Sequence, residues 1–206
     1  RNVLDDIDLG GGVFQGSLSS GNPQAKPFES MNLDAGVEYY LKNAGILSVA
    51  GFHKSIDNPV YTNSYQLTNT TYGGRNYSIL NISRPENARK GEVTGLEFNW
   101  QQFFNFLPSP FDGFGVNLNY TVVDSSATIF GRTGDLPFFK QSDDVSNFAL
   151  VYEKYGFEAR IAYALNSAYL ISVGNNPATD TYIDRRRVID AKASYRINKR
   201  LKVFVE

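Results

Sequence analysis

The 206-residue chain has no cysteine and a single histidine. A disulfide framework, a thiol nucleophile and a Cys/His metal centre are therefore all excluded. Neither sign of charge dominates: 20 Lys and Arg stand against 21 Asp and Glu, a net charge of -1. That balance lacks a polyanion-binding signature, so nucleic acid is not an expected partner. No apolar run approaches the roughly 18 residues that a membrane-spanning helix needs. No cationic, apolar signal segment opens the chain, which starts Arg1-Asn2-Val3. Amphipathic helical spacing is scarce as well. No nucleophile–base pair or paired-acid constellation can be assigned, so neither catalysis nor a cofactor is expected. What is plentiful is β-type: 13 Tyr, 15 Phe and 18 Gly, with many Asn, Ser and Thr.

Strict alternation runs through the chain. Leu33, Ala35, Val37, Tyr39 and Leu41 oppose Asp34, Gly36, Glu38 and Tyr40. Phe114 to Val122, Phe157 to Leu165 and Ile189 to Ile197 repeat the pattern, and Leu96/Phe98/Trp100, Phe148/Leu150/Tyr152 and Leu201/Val203/Val205 give shorter versions. No charge falls on the apolar phase of these seven segments, whereas the intervening phase carries Asp34, Glu38, Glu97, Glu158, Arg160 and Lys192 among others. Ile46 to Asp57 is an eighth strand whose register stays open, because either phase places His53 or Lys54 on the apolar side.

The connections alternate in length. Lys42 to Gly45, Asn105 to Gly113, Lys154 to Gly156 and Asn198 to Arg200 are short or medium, while Asn58 to Arg89, Asp124 to Asp144 and Asn166 to Arg187 are long. Strands thus pair as up-and-down hairpins, with short turns at one end and long, structureless loops at the other. Soluble domains rarely carry several such loops, whereas transmembrane barrels do so routinely. A soluble β-sandwich would also alternate, but three features favour the bilayer. The runs reach nine or ten residues, close to the roughly 9–11 of a tilted crossing strand. Tyr39, Trp100, Phe114, Tyr152, Phe157 and Tyr195 collect near the short turns and Tyr120 and Tyr163 toward the long loops, as two interfacial girdles would. The apolar phase also excludes charge, which costs about 2–4 kcal/mol at mid-depth in lipid. The expected fold is all-β: an antiparallel up-and-down transmembrane β-barrel, present as a piece of about eight strands. Its polar phase would line a lumen, with Glu158 and Arg160 pairing against Asp190, Lys192 and Arg196.

Four motifs then resemble the TonB-dependent outer-membrane receptors. Asn22-Pro23-Gln24-Ala25-Lys26-Pro27-Phe28-Glu29-Ser30 followed by Glu38-Tyr39-Tyr40 is similar to that family's G-N-P-x-L-K-P-x-x-S element and E-Y-Y strand end, with Ala25 where Leu is usual. Val93-Thr94-Gly95-Leu96-Glu97-Phe98-Asn99-Trp100 resembles V-x-G-x-E-x-x-W, and Leu150 to Arg160 and Leu201 to Glu206 resemble a late hairpin and the start of the penultimate strand. The resemblance implies a 22-stranded barrel with an N-terminal plug, of which residues 1–206 are a late C-terminal part, from about the fourteenth strand to the start of the twenty-first. Plug, early strands and final strand would lie outside this stretch, and Glu206 would stop mid-strand.

It further implies a bacterial outer-membrane protein that imports a scarce, bulky ligand: a siderophore or other metal chelate, a cofactor or an oligosaccharide. Implied partners are outer-membrane lipid, lipopolysaccharide, and the TonB complex through the plug. A passive porin and a soluble carbohydrate-binding sandwich are the alternatives. The long loops supply candidate ligand contacts in Tyr61, Tyr65, Tyr72, Arg75, Tyr77, Phe130, Arg132, Phe138, Phe139, Tyr169, Tyr182 and Arg185, since aromatics stack on rings and Arg pairs with anions. Packing between loops is the competing role. His53 is expected to be structural, Asp5, Asp6 and Asp8 to be a solvated acidic loop, and Asp143-Asp144 a strand-entry pair at the wet rim.

Overall fold

A computed structural model describes residues 2–43 and 45–206. Fourteen strands follow one another among them: β1 (Val3–Asp8), β2 (Val13–Ser19), β3 (Glu29–Leu41), β4 (Gly45–Asp57), β5 (Val60–Tyr72), β6 (Arg75–Asn87), β7 (Lys90–Phe103), β8 (Phe114–Thr128), β9 (Asp144–Lys154), β10 (Phe157–Asn166), β11 (Tyr169–Ser172), β12 (Thr181–Ile183), β13 (Arg186–Asn198) and β14 (Leu201–Val205). Eight form one antiparallel sheet in the order β14-β13-β10-β9-β8-β7-β4-β3, with β3 and β14 as its edges. Apart from the excursions described below, this is a sequential up-and-down wall.

Pairing brings the separately chosen apolar phases onto one face. Across the middle of the sheet Val37 lies opposite Val49, Val49 opposite Phe98 and Phe98 opposite Tyr120. Further along, Leu118 faces Phe148, Phe148 faces Tyr163 and Tyr163 faces Ile189. Residues directly opposite in a ladder share a face, so the apolar surface is continuous. Among the described residues no second layer covers it: Leu33, Val37, Leu96, Ile161 and Ile189 are 70%, 74%, 58%, 54% and 72% exposed. A sandwich would bury these side chains between two sheets; here the sheet is a single layer.

The same pairing settles β4. Leu33 lies opposite His53 and Leu47 opposite Trp100, which puts Leu47, Val49 and His53 on the apolar face and Lys54 on the other. His53 sits at the loop-side margin of that face, its Nδ1 2.8 Å from the Thr94 hydroxyl. At the opposite margin the aromatics touch in series. Phe104 meets Trp100 and Phe106 at 6.4 and 6.0 Å, and Phe114 meets Phe111, then Tyr152, which meets Phe157, at 6.5, 4.7 and 6.0 Å. The expected girdle is a physical belt, and the Asn105–Gly113 turn adds Phe106 and Phe111 to it.

On the polar face the pairing differs from expectation in detail. Glu158 bonds Lys202 at 2.6 Å, lies 3.8 Å from Arg196, and accepts from the Ser194 hydroxyl at 3.3 Å. Arg160, however, stands directly opposite Lys192, and Asp190 opposite Ala162. Lys192 pairs instead with Glu206. Like charges face each other across that rung because the register is set by the apolar side, which a one-residue slip would turn inside out.

The long connections are not structureless. Segment 58–89 is almost wholly β5 and β6, two 13-residue strands that prolong β4 and β7 beyond the sheet. Gly73 and Gly74, with φ of 57° and 80°, close this hairpin through the left-handed conformation that a two-residue turn demands. β1 and β2 form a second hairpin, and β2 pairs with β6 in parallel to give a four-stranded sheet, β1-β2-β6-β5. The acidic run expected as a loop is therefore strand β1. β11 and β12 pair within 167–185, and Val173 bridges to Asn63 at the edge of β5.

Candidate functional site

The loop end of the wall carries a folded cap, because its hairpins and loops bury two apolar cores of their own. The lower core joins Tyr61, Ala88, Ala127, Ile129, Phe139, Leu170 and Val173, and so ties together β5, the end of β8 and the loops 129–143 and 167–185. Tyr61 stacks on Phe139 at 5.1 Å, and Phe138 packs beside it at 5.4 Å with its ring over Gly91. Backbone bonds stitch the same elements: Ser64 N–H donates to the Val173 carbonyl at 2.8 Å, and Val173 N–H to that of Thr62 at 3.0 Å. Glu86 accepts from Tyr61 and Asn63. Burial above all, and then the Glu86 carboxylate, push the Tyr61 phenol up to about 12.

The upper core belongs to the four-stranded sheet: Leu18, Tyr77, Leu80 and Ile82, with Leu4, Phe14, Tyr65 and Tyr72 around them. Asp6, on the same face, accepts from the Tyr77 hydroxyl at 2.7 Å and from Arg75 at 2.6 Å. These two hydrogen bonds, Tyr77 first, hold its carboxyl below the usual range. Arg75 also lies over the Phe14 ring at 4.9 Å.

A buried ion pair fixes the remaining loop. The Arg132 guanidinium forks onto both Asp180 oxygens at 2.8 and 2.6 Å and reaches the Gly174 carbonyl at 3.1 Å. Gly174 N–H donates to Asp180 at 2.9 Å, and the two side chains are 8% and 3% exposed. Burial pushes the Asp180 carboxyl up, but Arg132 and the Gly174 N–H outweigh it and leave it below its ordinary value. At the rim, Asp144 opens β9 and accepts from Tyr120 at 2.7 Å, while burial, helped by Asp144 and Asp124, raises the neighbouring Asp143.

The twelve candidate contact residues therefore do not converge. Tyr61, Phe138 and Phe139 sit in the lower core, and Tyr65, Tyr72 and Tyr77 in or against the upper one, with Arg75 bound beside them. Arg132 is the clasp, and Tyr169 is half-buried on β11. Phe130, Tyr182 and Arg185 remain at the surface; Phe130 is 63% exposed beneath the Arg89 guanidinium at 4.4 Å, and Tyr182 is 50% exposed. Sequence reasoning missed Asp180 and Glu86, which organise the cap. Of the twelve, Tyr65 lines a pocket of about 640 Å³ between the four-stranded sheet and the loop around Asn175–Thr179, whose other lining residues sequence reasoning missed.

A family model described as TonB dependent receptor-like, beta-barrel matches residues 4–206. Among solved structures, the siderophore receptor PirA from Acinetobacter baumannii superposes with a TM-score of 0.55 at 15% identity, over 89% of this chain and 28% of that one. The ferric-catecholate import receptor Fiu from K12 E. coli gives 0.57 at 17% identity, over 86% and 22%. The ferric yersiniabactin uptake receptor FyuA from Yersinia pestis gives 0.56 at 17% identity, over 86% and 24%. The chain thus spans about a quarter of the length of these structures. No curated protein matches it.

Proposed function

Because the chain belongs to the TonB-dependent receptor β-barrel family, we propose that the protein containing it imports a ferric chelate across a bacterial outer membrane with energy relayed through TonB. The observation that carries this proposal is the continuous, uncovered apolar face of one single-layer sheet, bounded by an aromatic belt at one end and a folded cap at the other. An apolar face of that extent is stable in hydrocarbon and not in water, and a sheet in lipid must close so that no strand edge is left unpaired. Strands supplied from outside this stretch would close it, and a plug would fill the lumen. The named chelates of the similar structures support an iron complex over a cofactor or a sugar as the transported ligand.

In this reading the cap is the outward surface. Phe130, Tyr182 and Arg185 are the proposed direct contacts, because they present ring faces and a guanidinium to solvent. Tyr61, Tyr65, Tyr72, Arg75, Tyr77, Arg132, Phe138, Phe139 and Tyr169 shape that surface from beneath or beside it. The test is uptake of radioactive iron by cells that carry the full-length gene as their sole such receptor, supplied with ferric enterobactin, ferric yersiniabactin and ferric citrate. Uptake of one chelate that disappears on deletion of TonB is expected; uptake of none, or uptake indifferent to TonB, would refute the proposal.

A further inference from the structure

The polar face of the eight-stranded wall sorts its charges from one side to the other. Register places Ala50, Glu97, Thr121, Val145, Asn166 and Arg186 in a single rung across β4, β7, β8, β9, β10 and β13. An acid thus stands toward one end of that rung and a base at the other. The rest of the face follows the same division. On β3, β4 and β7 it carries Asp34, Glu38 and Glu97 against Lys54 alone. β8 carries no charge there, and β9 only Glu153 at its turn end. On β10, β13 and β14 it carries Arg160, Arg186, Lys192, Arg196 and Lys202 against Glu158 and Asp190.

The covering of this face is divided in the same way. At the loop end of β7 and β8, Val93 and Val123 are 6% and 4% exposed. The Phe52 ring lies over Gly95, the Phe138 ring over Gly91, and the Ser125 hydroxyl accepts from the Phe138 N–H at 3.2 Å. Ala127, on the same phase, belongs to the lower core, so the cap roofs that side. Segment 167–185 leaves β10 but leans away from it, because Val173 bridges to Asn63 on β5. Asn166 and Arg186, at the loop ends of β10 and β13, stay exposed. The uncovered side of the mouth is therefore the basic side, and Arg185, proposed above as a chelate contact, immediately precedes it in the chain.

Two of the cations on that side have no acid to hold. Lys192 reaches Glu206, and Arg196 and Lys202 share Glu158, whereas Arg186 and Arg160 are exposed and pair with no other described residue. Arg160 stands opposite Lys192, and an anion beside them would offset the like-charge repulsion of that rung. Arg186 and Arg160 lie on neighbouring strands three same-face steps apart, about 20 Å, with Asp190 the one carboxylate between them. We propose that an anionic ferric chelate crosses the lumen along the β10–β13 side of the wall, guided by Arg186 at the mouth and then by Arg160 midway. This rests on the import reading above and adds to it the side of the lumen that is used, the sign of the ligand's charge and two residues that steer it.

The full-length receptor is tested in two ways. In cells, initial uptake rates per receptor at the surface are measured with whichever of ferric enterobactin, ferric yersiniabactin and ferric citrate the unaltered receptor imports. Arg160→Gln and Arg186→Gln are each expected to lower the maximal rate about tenfold. Arg160→Lys is expected to keep most of it, and Glu97→Gln, at the acidic end of the rung, all of it. In the purified receptor, single cysteines replace Val151, which lies opposite Arg160, and Ala50, which lies opposite Glu97. Each is modified by an anionic sulfonate and by a cationic trimethylammonium methanethiosulfonate. Preference for the anionic reagent is expected to be about tenfold greater at 151 than at 50, and to fall when Arg160→Gln is added. Equal preference at the two positions, full uptake rates in both Gln variants, or an equal loss in Glu97→Gln, as a wall that only holds a plug would give, overturns the inference. Import of none of the three chelates refutes the import reading instead, and the modification test then decides this inference alone.

Discussion

The Arg132–Asp180 clasp makes the sharpest demand on the cap. Replacing Arg132 by Met keeps the apolar stem and removes the fork. The change strands a carboxylate that is 3% exposed and loses hydrogen bonds of 2.8, 2.6 and 3.1 Å. Breaking a buried ion pair from one side costs about 3–5 kcal/mol, so local opening of segment 173–180 should rise by roughly a hundredfold to a few thousandfold. The double variant Arg132→Met/Asp180→Leu carries no stranded charge. It leaves the Gly174 N–H and carbonyl without their side-chain partners, a cost of about 1–3 kcal/mol for each group, and should recover part of the loss. Hydrogen exchange of the full-length receptor, read at the amides of Ser64, Val173, Gly174 and Thr179, measures both variants. Because the Asp180 carboxyl is held below its ordinary value, the clasp's contribution is complete above the ordinary aspartate range and fades only as pH falls through the lowered value; the experiment belongs near pH 7. Exchange unchanged in the single variant, or equal in single and double variants, would refute this account of the loop.

Three further outcomes are expected. Val37→Lys places a charge on the uncovered face at a residue 74% exposed and should cost about 2–4 kcal/mol of folding stability in bilayers, whereas Ser48→Lys on the polar face should cost far less; equal effects would contradict the assignment of faces. Gly95→Ala should destabilise by about 1–3 kcal/mol, because the new Cβ would lie 2.4 Å from the Phe52 ring and 2.7 Å from the Val122 carbonyl. Adding Phe52→Ala should relieve that only in part, since the carbonyl remains, and full rescue would count against the geometry. The Tyr61 phenol, raised to about 12, contributes stability that is whole below pH 10 and lost as pH climbs toward 12. Alkaline melting of the cap should show that loss, and Tyr61→Phe should remove it.

The wall was legible in the sequence because lipid imposes a two-residue period on one face and tolerates no charge there. Val37, Phe98, Tyr120 and Ile189 could each be placed without knowledge of their partners. β4 resisted because His53 sits at the margin of the apolar zone, where Thr94 can satisfy it, and only pairing with β3 and β7 fixes its phase. The cap was largely hidden. In β5, Thr68, Asn69, Thr70 and Thr71 leave little contrast between phases, so alternation could not announce a strand; Gly73-Gly74, a strong hairpin signal, was the available clue. Tertiary partners such as Arg132 and Asp180, 48 residues apart, or Tyr77 and Asp6, 71 apart, leave no periodic trace. That is why residues picked as ligand contacts for their chemistry lie so often in the cap's own cores.

The central claim concerns which solvent meets the apolar face. These residues contain no cysteine, so single cysteines can be introduced in pairs: Val37 and Glu38, Leu96 and Glu97, Ile161 and Arg160. Each, carrying an environment-sensitive fluorophore in the full-length receptor, can be challenged in bilayers with spin-labelled lipid. Strong quenching at 37, 96 and 161 with little at 38, 97 and 160 is the predicted result. Equal quenching within the pairs, or protection of 37, 96 and 161 from lipid, would contradict it.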